Sequence, residues 1–84
     1  MTESIESTAT DFPNPDDTFN AGELGCGELI VKLNFKLKRL ELNQVLHLIA
    51  YDSGAIADIP AWCDLTGHRL VNAQHPHYYI ARTK

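Results

Sequence analysis

The chain has 84 residues and a mass of 9.4 kDa, which predicts one small domain. Hydrophobic residues make up 44% and charged residues 21%, which is typical of a globular protein rather than a disordered or fibrous one. No apolar stretch approaches the roughly 18 residues of a membrane span, and no basic-then-apolar pattern marks a secretory leader. The two cysteines, Cys26 and Cys63, are too few for a disulfide scaffold, so a reducing, cytoplasmic location is expected.

The negative charge is concentrated at the start of the chain. Residues 1–17 contain five acidic residues, no Lys or Arg, and few large apolar side chains, so we predict a flexible acidic N-terminal tail there. A partner-binding segment is the alternative. Residues 18–84 form the predicted domain, and their seven basic and six acidic residues argue against direct nucleic-acid binding through a basic face.

The first half of the domain predicts a strand followed by a helix. The extended segment 18–24 leads into Gly25-Cys26-Gly27, where two glycines flank a cysteine. From there the apolar residues change to helical spacing, which predicts a helix over 28–41 with an inward face of Leu29, Ile30, Leu33, Leu37 and Leu40.

The second half predicts a strand, a helix and a hairpin. Residues 44–51 are apolar on both alternating faces except at His47, which is typical of a central strand. A helix is predicted over 55–66 and ends at Gly67; strands over 69–74 and 78–82 follow. This order predicts an α+β fold, a two-layer βαβαββ sandwich with two helices on one face of a four-stranded mixed sheet.

Cys26 is the candidate for chemistry. Its predicted place at a helix N-terminus favours a thiolate, because unpaired backbone N–H groups and the helix dipole stabilise negative charge there. A thiolate is the form that acts as a nucleophile or accepts sulfur. The carboxylate of Glu28 opposes this effect, and a small buried structural cysteine is the alternative.

The domain resembles the TusA family of small sulfur carriers, also called SirA-like proteins, from about Thr18 to Lys84. The segments that carry the resemblance are, in chain order, Ala21-Gly-Glu-Leu-Gly-Cys26, Ala50-Tyr-Asp52, Asp58-Ile-Pro-Ala-Trp-Cys63, Gly67-His-Arg-Leu70 and Tyr79-Ile-Ala-Arg-Thr-Lys84. The resemblance implies a βαβαββ fold and a sulfur carrier that holds sulfur as a persulfide on Cys26. It also implies protein partners: a donor such as a cysteine desulfurase, and an acceptor in tRNA thiolation, molybdenum cofactor synthesis or sulfur metabolism. No cofactor and no membrane partner are indicated, and a monomer is expected.

The carrier motif departs from the family pattern. In the family the cysteine opens a Cys-Pro-x-Pro motif, whereas this chain has Gly27 and Leu29 in place of the two prolines. Proline at the start of a helix fixes φ, so Gly27 predicts a more flexible backbone at Cys26. Gly25, Gly27 and Glu28 are the predicted supports of the motif. An interaction or regulatory module without sulfur chemistry is therefore the alternative function.

Other residues that match the family are predicted to be structural, namely Asp52, Asp58, Cys63 and His68. For Cys63, a resolving thiol or a disulfide with Cys26 is the alternative to a buried helix residue. His75 and His77 flank Pro76, but without a third ligand of suitable spacing they predict no metal site.

The helix after Cys26 also has candidates for partner docking. Val31 and Phe35 project away from the leucine face and lie among Lys32, Lys38 and Arg39. An apolar pair with a basic rim is typical of a protein-docking surface. Coverage by the acidic tail or the sheet is the alternative, as is simple exposure.

Overall fold

The computed structural model describes residues 14–84, with Cys26 described by its backbone alone. The predicted tail falls mostly in residues 1–13, outside the described residues. The elements are, in chain order, β1 (Asp17–Gly22), α1 (Cys26–Lys38), β2 (Val45–Ala50), α2 (Ala55–Thr66), β3 (Arg69–Gln74) and β4 (His77–Ala81). The predicted βαβαββ order is confirmed.

The four strands form one mixed sheet in the order β1-β2-β4-β3. Strand β1 runs parallel to β2, which requires the α1 crossover between them, while β4 is antiparallel to both β2 and β3. Strands β2 and β4 are therefore central, and β1 and β3 are the edges. Residue Asp16, just before β1, exchanges two hydrogen bonds with Val45: its N–H donates to the Val45 carbonyl, and its carboxylate accepts from the Val45 N–H.

Both helices pack on one face of this sheet, which confirms the predicted two-layer architecture. Inward side chains of β2 and β4 join apolar residues of α1 and α2 in one core. Its fully buried members include Leu29, Leu33, Leu37, Leu46, Leu48, Ile59 and Ile80. Burying a leucine or isoleucine stabilises the fold by about 1.5–3 kcal/mol, so the leucine face of α1 is a main source of its docking energy.

The ends of α1 differ from the prediction by two or three residues. The helix begins at Cys26 rather than Glu28, and it ends at Lys38 rather than Glu41. At its end the Arg39 N–H donates to the Lys36 carbonyl, a three-residue spacing that closes the last turn. The Arg82 guanidinium then donates to the carbonyls of Lys38 and Leu40, which ties the end of α1 to the segment after β4.

Helix α2 has the predicted bounds and is anchored by Ala55, Ile59, Trp62 and Cys63. Gly67 ends it with φ of 88°, a left-handed conformation that glycine adopts without steric cost, and its N–H donates to the Cys63 carbonyl. Among the described residues no helix is long and apolar enough to cross a membrane.

Candidate functional site

The loops that follow β1 and β2 meet at one end of the sheet, which we call the site edge. The two strands are parallel, with Gly22 beside Ala50, so α1 and α2 both begin there. The Tyr51 N–H donates to the Gly22 carbonyl at 2.9 Å and joins the two loops. The β3–β4 turn reaches the same edge, because the Ala50 N–H donates to the Pro76 carbonyl at 2.9 Å.

Cys26 is the first residue of α1 at this edge. The helix is preceded by Gly25 as its N-cap, in an extended conformation with φ of −70° and ψ of 162°, and no side chain of the described residues caps it by a hydrogen bond. The first helical hydrogen bond runs from the Leu29 N–H to the Gly25 carbonyl at 2.9 Å. The backbone N–H groups before Leu29 have no acceptor within the helix, so they form its electropositive end.

Gly27 explains why Cys26 lies inside the helix. A proline at position 27 would disfavour helical backbone angles at the residue before it, and Cys26 would then be outside the first turn. Glycine imposes no such restriction. Apart from its chain neighbours and the backbone of its own helix, a Cβ added at Gly27 would meet no described atom within 4 Å, so the site has room for a side chain. The missing proline therefore changes where the helix begins as well as how rigid its start is.

Leu29 and Glu28 have opposite surroundings in the first turn. Leu29, at the second proline position of the family motif, is fully buried in the core, where it anchors the start of α1. Glu28 is exposed, and its carboxylate lies 3.8 Å from the Lys32 ammonium in an i,i+4 pair. Lys32 therefore offsets part of the negative charge that Glu28 places near the helix start.

The site edge also exposes apolar side chains that the sequence pattern did not single out. Tyr51 is 52% exposed just after β2, and Ile56 is 56% exposed in the first turn of α2. Tyr51 is the last residue of the apolar run 44–51, so the sequence pattern did not distinguish it from a core residue. Its exposure follows from the end of β2 at Ala50, a boundary that the apolar pattern does not mark.

Asp52 and Asp58 lie at the start of α2. The Asp52 carboxylate accepts a hydrogen bond from the Gly54 N–H at 3.1 Å, and its backbone carbonyl accepts one from Ala55 at 3.0 Å. Asp58 is exposed in the first turn of α2, where negative charge is favoured by the helix dipole. Asp52 therefore stabilises the turn before α2, and Asp58 stabilises the first turn of the helix.

Cys63 is buried, and it packs against the core. Burial, with a smaller contribution from the Asp64 carboxylate, raises the pKa of its thiol to about 11. The residue lies about 12 Å along the α2 axis from the site edge, given a rise of about 1.5 Å per residue. A disulfide needs Cα atoms within about 7 Å, so this placement argues against a bond with Cys26.

His68 lies at the opposite end of the sheet from Cys26. Its Nδ1 accepts a hydrogen bond from the Thr83 N–H at 3.2 Å, and its ring contacts Trp62 with 5.5 Å between centroids. Burial, followed by the positive charges of Arg82 and Lys84, lowers the pKa of His68. These contacts join the start of β3 to the C-terminal segment, which is a structural role for His68.

The predicted docking residues lie along α1 and at its C-cap, Arg39. The side chains of Val31 and Phe35 are 56% and 65% exposed, so no described part of the chain covers this face of α1. Lys32, Phe35 and Arg39 line a cavity of about 310 Å³ between α1 and β1, with two further residues, Phe19 and Lys36. We call these five residues the basic groove. The Lys36 ammonium lies 5.5 Å from the centroid of the Phe19 ring, within the range of a cation–π contact.

The two histidines that flank Pro76 have different partners. His75 Nδ1 lies 2.5 Å from the Tyr78 hydroxyl, whereas His77 Nδ1 lies 2.9 Å from His47 Nε2 on β2. Within residues 14–84, no cluster of three or more His, Cys, Asp or Glu side chains is placed to hold a metal ion.

Comparison with known proteins identifies the family of this chain. A family model described as sulfurtransferase TusA matches residues 17–83. The chain belongs to the TusA family. Among curated relatives, the sulfur carrier protein TusA of Pseudomonas putida (strain GB-1) is 35% identical over 65 residues, covering 77% of this chain and 80% of that protein. The same protein of Pseudomonas putida (strain W619) matches with the same identity and coverage. The resemblance to TusA proteins inferred from the sequence is thus confirmed.

Proposed function

We propose that this TusA-family protein is a sulfur carrier that holds sulfur as a persulfide on Cys26 and relays it to a protein partner. The observation that carries the proposal is the place of Cys26 at the first residue of α1, at an edge where two loops and two helix starts meet. The N-terminal end of a helix stabilises the thiolate that sulfur transfer requires. The related Pseudomonas putida proteins are named sulfur carriers.

The transfer itself needs no cofactor. The Cys26 thiolate attacks the outer sulfur of a donor persulfide, a new S–S bond forms on Cys26, and the donor cysteine leaves as a thiolate. The same exchange in the opposite sense delivers the outer sulfur to an acceptor. Electrons balance in each step because one S–S bond forms as another breaks.

The charges at the site edge favour a protein donor over a small anion. Four carboxylates, from Glu23, Glu28, Asp52 and Asp58, lie on the loops and first turns around Cys26. Their field repels anions such as thiosulfate and polysulfide, and it attracts a partner whose surface is basic. Tyr51 and Ile56 add exposed apolar area at the same edge, as a protein contact requires. A cysteine desulfurase is the donor class we propose.

The basic groove is the second surface we propose for partner binding. Phe19 and Phe35 provide apolar area, and Lys32, Lys36 and Arg39 provide positive charge beside it. An acidic segment of the donor or acceptor with an aromatic side chain would complement this surface. Phe35→Glu should abolish transfer to the partner that docks here, while Leu65→Glu, at another strongly exposed apolar position, is the matched control. Unchanged transfer by the Phe35 variant would exclude the groove.

Intact-protein mass spectrometry tests the sulfur chemistry. The chain is incubated with a cysteine desulfurase and cysteine, and separately with thiosulfate or polysulfide, beside Cys26→Ser and Cys63→Ser. We expect a sulfur-sized mass increase that Cys26→Ser removes and Cys63→Ser retains, with the protein donor more effective than the anions. Absence of modification under all conditions would overturn the proposal.

A non-catalytic interaction module is the second candidate, because Gly27 and Leu29 replace both prolines of the family motif. It predicts that Cys26→Ser retains full cellular function, whereas a sulfur carrier would lose it. We propose that the protein is a monomer in the cytoplasm. We also propose that it does not bind nucleic acid directly, because the domain has no strong excess of positive charge. The carrier would serve tRNA thiolation, molybdenum cofactor synthesis or sulfur metabolism.

A further inference from the structure

His47 and His77 form a pair on the face of the sheet opposite the helices. His47 lies on β2 and His77 at the start of β4, and the register places His47 beside Tyr79 and His77 beside Ile49. His47 Nε2 and His77 Nδ1 are 2.9 Å apart, with 5.1 Å between ring centroids and 27° between ring planes. Both side chains are partly exposed, since α1 and α2 occupy the other face.

The two nitrogens lie close enough for one metal ion to bind both. Imidazole nitrogens bind first-row divalent metals at about 2.0–2.1 Å, and two such ligands about 90° apart are separated by about 2.9 Å. Ligands at a tetrahedral angle would be separated by about 3.3 Å. The observed 2.9 Å is also an ordinary hydrogen-bond distance, so it selects no single coordination geometry. Imidazole suits Cu(II) and Ni(II), which rank among the highest in affinity for such ligands of the first-row divalent ions.

The fold holds both rings on rigid supports. Strands β2 and β4 are the two central strands, so each is hydrogen-bonded to a neighbour on both sides. The His47 ring stacks on the Tyr79 ring with 4.5 Å between centroids and 1° between planes, which keeps it next to β4 and His77.

We propose that His47 and His77 form a bidentate site for a divalent transition-metal ion, Cu(II) or Ni(II). The remaining coordination positions face solvent. Without metal, one ring donates its N–H to the other. On binding, that proton moves to the other nitrogen of the same ring, and both rings turn so that their lone pairs converge on the ion. The neutral pair loses no proton in this exchange. The site is independent of the sulfur chemistry at Cys26.

The test uses Ni²⁺, which does not oxidise thiols, and the full chain with Cys26→Ser and Cys63→Ser to remove competing thiolates. Calorimetry should show one equivalent bound, and paramagnetic broadening of NMR signals should centre on residues 47, 77 and 79. His47→Gln and His77→Gln should each weaken binding by at least about tenfold, since loss of an outer partner alone costs 10–100-fold in metal sites. His68→Gln and His75→Gln are the matched controls and should bind as the parent does.

Three results would overturn the proposal. The first is the absence of one-to-one Ni²⁺ binding, which would leave the pair as a structural hydrogen bond. The second is retention of binding when either His47 or His77 is replaced, and the third is an equal loss in a control variant. Circular dichroism of each variant establishes that the fold is intact, so that lost binding reports on the ligands.

Discussion

The role of Gly27 can be tested by two substitutions that separate rigidity from the position of Cys26. Gly27→Ala keeps Cys26 in the helix and adds a methyl group that, apart from its chain neighbours and the backbone of its own helix, meets no described atom within 4 Å. Replacing a glycine in a compatible conformation stabilises a protein by about 0.4–1 kcal/mol, chiefly by restricting the unfolded chain. We therefore expect Gly27→Ala to raise the free energy of unfolding by that amount.

Gly27→Pro should change the local structure as well. The Gly27 N–H lies in the first turn of α1, where backbone N–H groups have no intrahelical acceptor, and proline is accepted there. However, proline disfavours helical angles at Cys26, so the helix should begin at residue 27 and Cys26 should become its N-cap. A sulfur at the N-cap is placed to accept hydrogen bonds from the first-turn amides, an interaction worth about 1 kcal/mol for ordinary caps. We expect alkylation of Cys26 at pH 7 to be about fivefold faster than in Gly27→Ala.

Three measurements decide the matter: urea unfolding under reducing conditions, the Cα chemical shift of Cys26, and its alkylation rate. The reasoning fails if Gly27→Ala destabilises the fold, or if Cys26 retains a helical shift in Gly27→Pro. Leu29→Pro is the contrast, because it removes a fully buried side chain and the 2.9 Å bond to the Gly25 carbonyl. Losses of about 2–5 kcal/mol are typical of emptied leucine sites, so the second family proline is not tolerated here.

Three further predictions concern other parts of the fold. The Cys63 thiol, with its pKa raised to about 11, should resist alkylation at pH 8 in the native state and react at an ordinary rate in urea; equal rates would contradict its burial. His47 and His68 have lowered pKa values in the fold, so the unfolded chain binds more protons as pH falls through about 6.5. Stability should therefore decrease between pH 7.5 and 5.5, and less so in His68→Gln; urea midpoints that do not change would refute this linkage. Arg82→Lys should lower the free energy of unfolding by about 1–3 kcal/mol, because lysine cannot bond both carbonyls at the end of α1 as the guanidinium does. A midpoint equal to that of the parent chain would show that those bonds contribute nothing.

Periodicity predicted the elements because their burial follows a repeating pattern. The leucines of α1 recur every four residues and are all buried, and the bounds of α2 were predicted without error. The helix start at Cys26 was missed because apolar spacing first appears at Leu29, while the residues before it carry no pattern. A boundary set by backbone angles at Gly25 and Gly27 is invisible to hydrophobic periodicity.

The surfaces were less predictable, because they depend on residues that are distant in sequence. Val31 and Phe35 could be placed on an exposed face from helical spacing alone. Phe19 completes the groove beside them only because β1 lies next to α1, a relation set by the crossover topology.

The pairing of His47 with His77 shows the same limit more sharply. The sequence places His77 beside His75, two residues away, and this is the pair that a spacing argument considers for a metal. Alternation along β4 points successive side chains to opposite faces, so Tyr78 is in the core while His77 and Tyr79 lie on the other face. His75 contacts Tyr78, and His77 is left beside β2, where the antiparallel register brings it to His47 across 30 residues of sequence. Register, which no local pattern specifies, therefore decides which histidines can act together.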